Sequence, residues 1–182
     1  MRQPTKSILM KEGTLECKMF EDREPKMIKL AAVRTEDKEL LWNINQKYLY
    51  EMTRFYDDPM DENGNYHYGY FDDYFVNPKR TAYFIYDDET LVGFAFLCPY
   101  SYINQTPDYV LAEFTIFPSF RRRGFATKAM ELIFLKHKGG WEIKYNENNE
   151  PAKRLWTRIT KPYKPVSHRI SNEETVLSFN VA

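Results

Sequence analysis

Two periods of apolar and polar residues run through this 182-residue chain, and the places where one replaces the other locate its elements. Short β-branched and aromatic runs predict strands over Met27 to Val33, Thr81 to Tyr86, Leu91 to Cys98 and Leu111 to Phe117. Between the first two, Leu40, Leu41, Ile44, Tyr48, Leu49 and Met52 recur at helical spacing. Thr35 is the expected N-cap, with acids in the first turn. A second helix is predicted over Ala126 to His137, from Ala129, Met130, Leu132, Ile133 and Leu135, and Lys138-Gly139-Gly140 should end it. Trp141 to Tyr145 then alternates as a strand, Pro151 opens a helix over Ala152 to Thr160, and Tyr163 to Ile170 and Thr175 to Val181 read as the last strands. Asp87 to Thr90 makes a hairpin of the second and third strands, and Gly93 inside that hairpin signals a bulge or a close approach. A helical crossover makes the strands at 111–117 and 141–145 parallel neighbours. The pattern is that of an α/β fold, a mixed and mostly antiparallel sheet with helices on both faces.

The pattern starts late. Residues 1–26 are polar and mixed in charge, and read as an N-terminal extension. Ser7 to Phe20 is either a hairpin around Lys11-Glu12-Gly13 or flexible. One domain covers 27–182, a length that suits a single core. Inside it, Phe55 to Phe75 breaks the periodicity and predicts a long excursion with a short helix near Tyr68 to Phe75. Its acids Asp57, Asp58, Asp61, Glu62, Asp72 and Asp73 alternate with Tyr56, Tyr66, Tyr68, Tyr70 and Tyr74. Such a segment is either a solvated loop whose rings cover the sheet or an aromatic and acidic wall for a cationic amine.

Composition narrows the classes. Lysine plus arginine and aspartate plus glutamate each number 26, so the formal net charge is zero. No global field points to nucleic acid or to an anionic membrane. The longest apolar stretch, Leu91 to Cys98, is far below the roughly 20 residues of a membrane span, and no signal-peptide core is seen. Cys17 and Cys98 make neither a disulfide framework nor a metal motif, so a reducing, cytoplasmic setting is expected and no metal.

The chemistry concentrates where the strand Leu111 to Phe117 runs through Pro118-Ser119-Phe120 into Arg121-Arg122-Arg123-Gly124-Phe125-Ala126-Thr127. A strand-to-helix turn offers free backbone N–H groups under the positive end of a helix dipole. Gly124 lets an anion approach the backbone, and arginine forks fit phosphate oxygens. Arg121-x-x-Gly124-x-Ala126, after a strand ending Ile116-Phe117-Pro118, resembles the coenzyme A signature of the GCN5-related N-acetyltransferase (GNAT) family. That resemblance implies acetyl-CoA as cosubstrate. Backbone groups of Ile116 and Phe117 would pair with pantetheine, a bulge-freed amide at or near Phe114 would stabilise the oxyanion, and amides from Arg122 to Thr127, Phe125 included, would take the pyrophosphate. The family's Asn-x-x-Ala-x-x-x-Tyr is similar to Asn149-x-x-Ala152-x-x-x-Trp156, which implies Asn149 beside the coenzyme A arm. Trp156 replaces the tyrosine, and an indole cannot serve as a proton-transfer acid near neutral pH. Tyr145, Tyr163 or water is left for that task, and Trp156 is expected in the core.

A primary-amine acceptor must lose a proton before it attacks a thioester. Glu113, a charge among Leu111, Phe114 and Ile116, is the expected catalytic base; alternatively it faces solvent or pairs with an arginine. Direct attack in a ternary complex is expected rather than an acyl-cysteine, since Cys98 has no evident base. The other readings are a coenzyme A-binding module with little catalysis and a protein-interaction domain using the aromatic excursion. Resemblance also makes a homodimer an open alternative.

Overall fold

The computed structural model of the chain describes residues 6–11, 14–19 and 27–182. Strands β1 (Lys6–Lys11) and β2 (Thr14–Met19) pair antiparallel from Lys6 opposite Met19 to Lys11 opposite Thr14. The turn expected at Glu12-Gly13 lies outside the described residues. The main body follows in chain order: β3 (Ile28–Ala32), α1 (Lys38–Met52), α2 (Asp73–Val76), β4 (Thr81–Asp87), β5 (Thr90–Cys98), β6 (Tyr109–Ile116), α3 (Phe125–Lys136), β7 (Gly139–Asn146), α4 (Glu150–Thr160), β8 (Val166–Arg169) and β9 (Glu174–Val181).

Seven strands form one sheet in the order β3-β4-β5-β6-β7-β9-β8, antiparallel at every junction except the parallel β6–β7 pair. Both faces are covered, so the central strands are apolar on both sides. In β4, Ala82 and Phe84 pack under α1 with Leu41, Phe94 and Phe96. Tyr83 joins the opposite core, where α3 and α4 bring Met130, Ile133, Phe134, Trp156 and Ile159 against Leu97, Leu111 and Ile143. The α/β class with helices on both faces is therefore the observed one.

Boundaries moved where local chemistry overrode pattern. Thr35 does not cap α1: Thr35–Asp37 is a 3-10 turn, and Asp37 stands at the cap position. Gly139 and Gly140 do not end α3; they open β7, and the helix already stops at His137, whose backbone is extended. The excursion's helix is only Asp73–Val76, and Lys161–Tyr163 is a 3-10 turn ahead of a short β8.

Two irregularities shape the sheet's middle. The β6–β7 ladder has three register pairs, Tyr109–Trp141, Val110–Glu142 and Leu111–Ile143, after which β6 stays with β5 and β7 with β9. The strands part there and leave a wedge. In the β5–β6 pair, Leu97 opposes Leu111 but Phe96 opposes Glu113, so Ala112 is an extra, bulged residue. Gly93 makes the close approach its position suggested: a Cβ on it would lie 2.2 Å from the Thr115 carbonyl oxygen.

Candidate active site at the β6–β7 wedge

The bulge decides what points into the wedge. Strict alternation from Leu111, which packs under α3, would send Glu113 to that same face. The extra Ala112 reverses the phase, so Glu113 turns toward α1 while Phe114 turns into the α3–α4 core, edge-to-face with Trp156 at 5.3 Å. Glu113 is half-buried and accepts a 2.7 Å hydrogen bond from the Tyr48 hydroxyl of α1, with the Tyr68 hydroxyl of the excursion near enough to influence it. Burial raises its carboxyl to about 7, against the lowering effect of Tyr48, Tyr68 and the nearby Lys144. Burial also lifts the Tyr48 phenol well above its ordinary value, with the neighbouring Glu113 charge adding to the shift. The reading of Glu113 as a solvated charge or an arginine partner does not describe this carboxyl.

Past Leu111 the edge of β6 facing the wedge has no strand partner among the described residues. Phe117 N–H donates to the Val92 carbonyl at 2.8 Å. Alternation then makes Thr115–Phe94 and Glu113–Phe96 the next bonded pairs and turns the backbone groups of Phe114 and Ile116 away from β5. The expected edge thus narrows to Phe114 and the N–H of Ile116, whose carbonyl accepts from Arg121 Nε at 2.6 Å. Phe117 is corrected: its N–H is taken by Val92, and its carbonyl already accepts from the Phe120 amide at 2.8 Å. Phe114 is freed by strand divergence rather than by the bulge, which lies two residues earlier.

Beyond β6 the chain turns through Pro118–Phe120 into α3. Arg122 and Gly124 adopt the left-handed conformation, φ 66° and 82°. Gly124 is the N-cap, no side chain caps the helix, and the first intrahelical bond runs from Lys128 N–H to the Gly124 carbonyl at 3.1 Å. Among the described residues, no partner is found for the amides from Arg122 to Thr127. A Cβ on Gly124 would meet nothing within 4 Å, so its backbone faces open space. Consecutive free amides around left-handed residues form an anion-binding concavity.

The three arginines divide. Arg121 does not face that concavity. Its fork grips Glu51 of α1, 2.5 and 2.6 Å, while Nε donates to the Ile116 carbonyl at 2.6 Å and Nη2 to Thr115 Oγ1 at 3.2 Å. Arg121 is therefore a latch between the loop and α1, which corrects its reading as a phosphate ligand. The Glu51 carboxyl is held below its ordinary value by this pairing. Arg122 is exposed, and Arg123 lies over the Phe120 ring at 5.9 Å. Across the wedge, Asn149 caps α4 through its side-chain oxygen, which accepts from Ala152 N–H at 3.2 Å, leaving its amide nitrogen for another partner. Trp156 is a core residue, as expected. Tyr163 stacks on Phe179, whose partner Trp141 belongs to the paired end of the β6–β7 ladder, whereas Tyr145 lies past the divergence.

Facing Glu113 is a cage that no single segment announces. Lys144 of β7 ion-pairs with Glu174 of β9 at 2.6 Å and stands over the rings of Tyr102, at 4.8 Å, and Tyr56, at 5.6 Å. Tyr102 is placed by Glu142, which is buried and accepts from Ser101 Oγ at 2.6 Å and Tyr102 N–H at 2.8 Å. The excursion divides its labour. Asp57, Asp58, Asp61 and Glu62 are exposed, and Asp72 and Asp73 pair with Lys38 and Arg80. Its Tyr56 and Tyr68 face the carboxylate. Sequence reasoning missed Glu51, Tyr102, Lys144 and Glu174. Only Lys144 carried a signal, since Glu142 and Lys144 put two charges on one face of a predicted central strand.

A splayed parallel pair, a free-amide helix start and a half-buried carboxylate between them define an acyltransferase-type site of the α/β class. The chain belongs to the acetyltransferase (GNAT) family, whose model matches residues 41–160. The fold is similar to that of Arabidopsis thaliana NAA60 in complex with acetyl-CoA (12% identity, TM-score 0.55, 85% of this chain and 99% of that one). It is also similar to spermidine N-acetyltransferase from Vibrio cholerae in complex with CoA and spermine (14%, 0.59, 85% and 95%) and to an acetyltransferase from Thermus thermophilus (15%, 0.61, 87% and 99%). No curated protein matches the sequence. Among the described residues no helix is long and apolar enough to cross a membrane.

Proposed function

We propose that the protein transfers the acetyl group of acetyl-CoA to a primary amine by direct attack, with Glu113 as the base. The observation that carries this reading is the bulge at Ala112, which turns a carboxyl raised to about 7 into the mouth of the wedge. The fold neighbours crystallised with acetyl-CoA or CoA support the same cosubstrate. In this reading the amides from Arg122 to Thr127 hold the pyrophosphate, with Arg122 and Arg123 adding charge. The backbone of Phe114 and the N–H of Ile116 receive the pantetheine arm as an added strand, and the Asn149 amide steadies it.

The acceptor arrives as an ammonium ion, and Glu113 takes one of its protons directly or through water. The nitrogen lone pair attacks the thioester carbonyl carbon. The developing oxyanion lies against the outward Phe114 N–H. As the C–N bond forms, the C–S bond breaks and its electron pair leaves on sulfur. Tyr145 or water gives a proton to the thiolate, since Trp156 cannot, and the second proton shed by the nitrogen as the amide forms replaces it, while the one taken by Glu113 passes to water. Cys98 is buried and its thiol is pushed up by that burial, which suits a bystander rather than a nucleophile. A free thiol also suits the reducing interior in which we place the protein.

The test is calorimetric titration with acetyl-CoA, followed by thiol-release assays over a panel of primary amines. Saturable binding with amine-dependent release is expected. Failure of the wild-type chain to bind acetyl-CoA overturns the reading.

A further inference from the structure

Lys144 occupies the position that the proposed acceptor would need. It is the first β7 residue past the last β6–β7 pair, Leu111–Ile143, so it lies across the opening wedge from Ala112 and Glu113. Alternation from Ile143, which packs in the α3–α4 core, puts Lys144 on the α1 face, where the bulge has also turned Glu113. The two are close enough that the Lys144 charge lowers the Glu113 carboxyl. The ammonium is held by Tyr56, Tyr102 and Glu174, with Glu113 close by but not in contact, the aromatic and carboxylate set expected to recruit a primary amine. Its side chain keeps 24% of its surface exposed, so the amine is not sealed from the wedge.

We infer that Lys144 is itself an acetyl acceptor of this site, modified on Nζ by the acetyl-CoA bound to the same chain. The inference rests on the acetyl-CoA reading given above. Glu113 removes one proton from the Lys144 ammonium through a water, and Nζ attacks the thioester carbonyl carbon. The N–C bond forms and the C–S bond breaks with its electron pair on sulfur. Of the three ammonium protons, one stays on the amide, one ends on the coenzyme A thiol and one passes through Glu113 to water. The product is a neutral amide that can no longer pair with Glu174, so modification leaves the cage one positive charge poorer.

The full chain is incubated with acetyl-CoA and no added amine, and Lys144 is followed by peptide mass spectrometry. Expected are an acetyl group on Lys144, a rate independent of protein concentration, and a slowing of about 100-fold in Glu113→Gln, as loss of a general base predicts. Lys144→Arg, which keeps the charge, should carry no acetyl group at that position. Calorimetry on the same samples separates the two readings. Acetyl-CoA bound with Lys144 unmodified overturns this inference alone, and absence of binding overturns both. Modification equally fast in Gly124→Glu, where binding is lost, is uncatalysed chemistry and also overturns the inference.

Discussion

The two sides of the wedge are built in opposite ways. The proposed pyrophosphate side is one continuous segment, Arg122 to Thr127, and its working groups are backbone amides whose direction follows from a strand, a left-handed glycine and a helix start. The acceptor side is assembled from α1, the excursion, the 99–108 connection, β7 and β9, and its working groups are side chains. A backbone site is sensitive to conformation and largely indifferent to which side chains it carries. A side-chain site can be retuned one residue at a time without moving the chain. The difference suits a constant cosubstrate on one side and a variable acceptor on the other.

Substitutions on the two sides should therefore fail differently. Gly124→Glu strains a left-handed position and sets a carboxylate against the pyrophosphate, and calorimetry should show acetyl-CoA binding weakened by about 100-fold or more. Glu113→Gln should do the reverse, cutting turnover by about 100-fold while leaving acetyl-CoA affinity unchanged. If both variants lost binding, the two sides would not be separable. Glu51→Gln breaks the ion pair that ties the loop to α1. The expected result is a rise of about tenfold in the KM for acetyl-CoA with a smaller change in kcat, as the loop loses the latch that seats it.

Finer effects sharpen the acceptor side. Turnover should rise with pH as Glu113 ionises, half-maximal near 7. Stability should run the other way. The Glu113 carboxyl is raised from 4.5 to about 7 on folding, so its stabilising contribution is complete below 4.5 and lost as pH climbs through 7. Thermal denaturation across that window should find Glu113→Gln gaining on the wild type at the alkaline end. Tyr48→Phe removes a donor to the ionised carboxylate, so the pH–rate limb should move upward by roughly half a unit to one unit, with acetyl-CoA binding intact.

What was legible in the sequence follows the same division. The strand, loop and helix around Gly124 could be read because backbone chemistry depends on neighbours in the chain, and the core role of Trp156 could be read from its helical spacing. Arg121 misled because an arginine's local motif says nothing about a glutamate 70 residues earlier, and Glu51 had no motif of its own. Phe117 misled because its amide is claimed by Val92 of the neighbouring strand β5, whose register against β6 the sequence does not state. Tyr102 reaches the site only because buried Glu142 draws the 99–108 connection inward. Thr35 failed as a cap because the chain first makes a 3-10 turn.

The extra residue at Ala112 gives the site a parity. Whether the carboxylate of Glu113 or the phenyl ring of Phe114 looks into the acceptor cavity depends on the bulge that absorbs one residue of β6, not on which residues are present. Were Ala112 drawn into a regular ladder instead of bulging, every group that the chemistry needs would remain and yet exchange faces, burying an acid against Trp156 and offering the acceptor a hydrocarbon. Deleting the alanine outright, by contrast, would set Leu111 opposite Leu97 and Glu113 opposite Phe96 in an unbroken ladder and leave the carboxylate on the α1 face, so it is the bulge and not the residue count that holds the two sides apart.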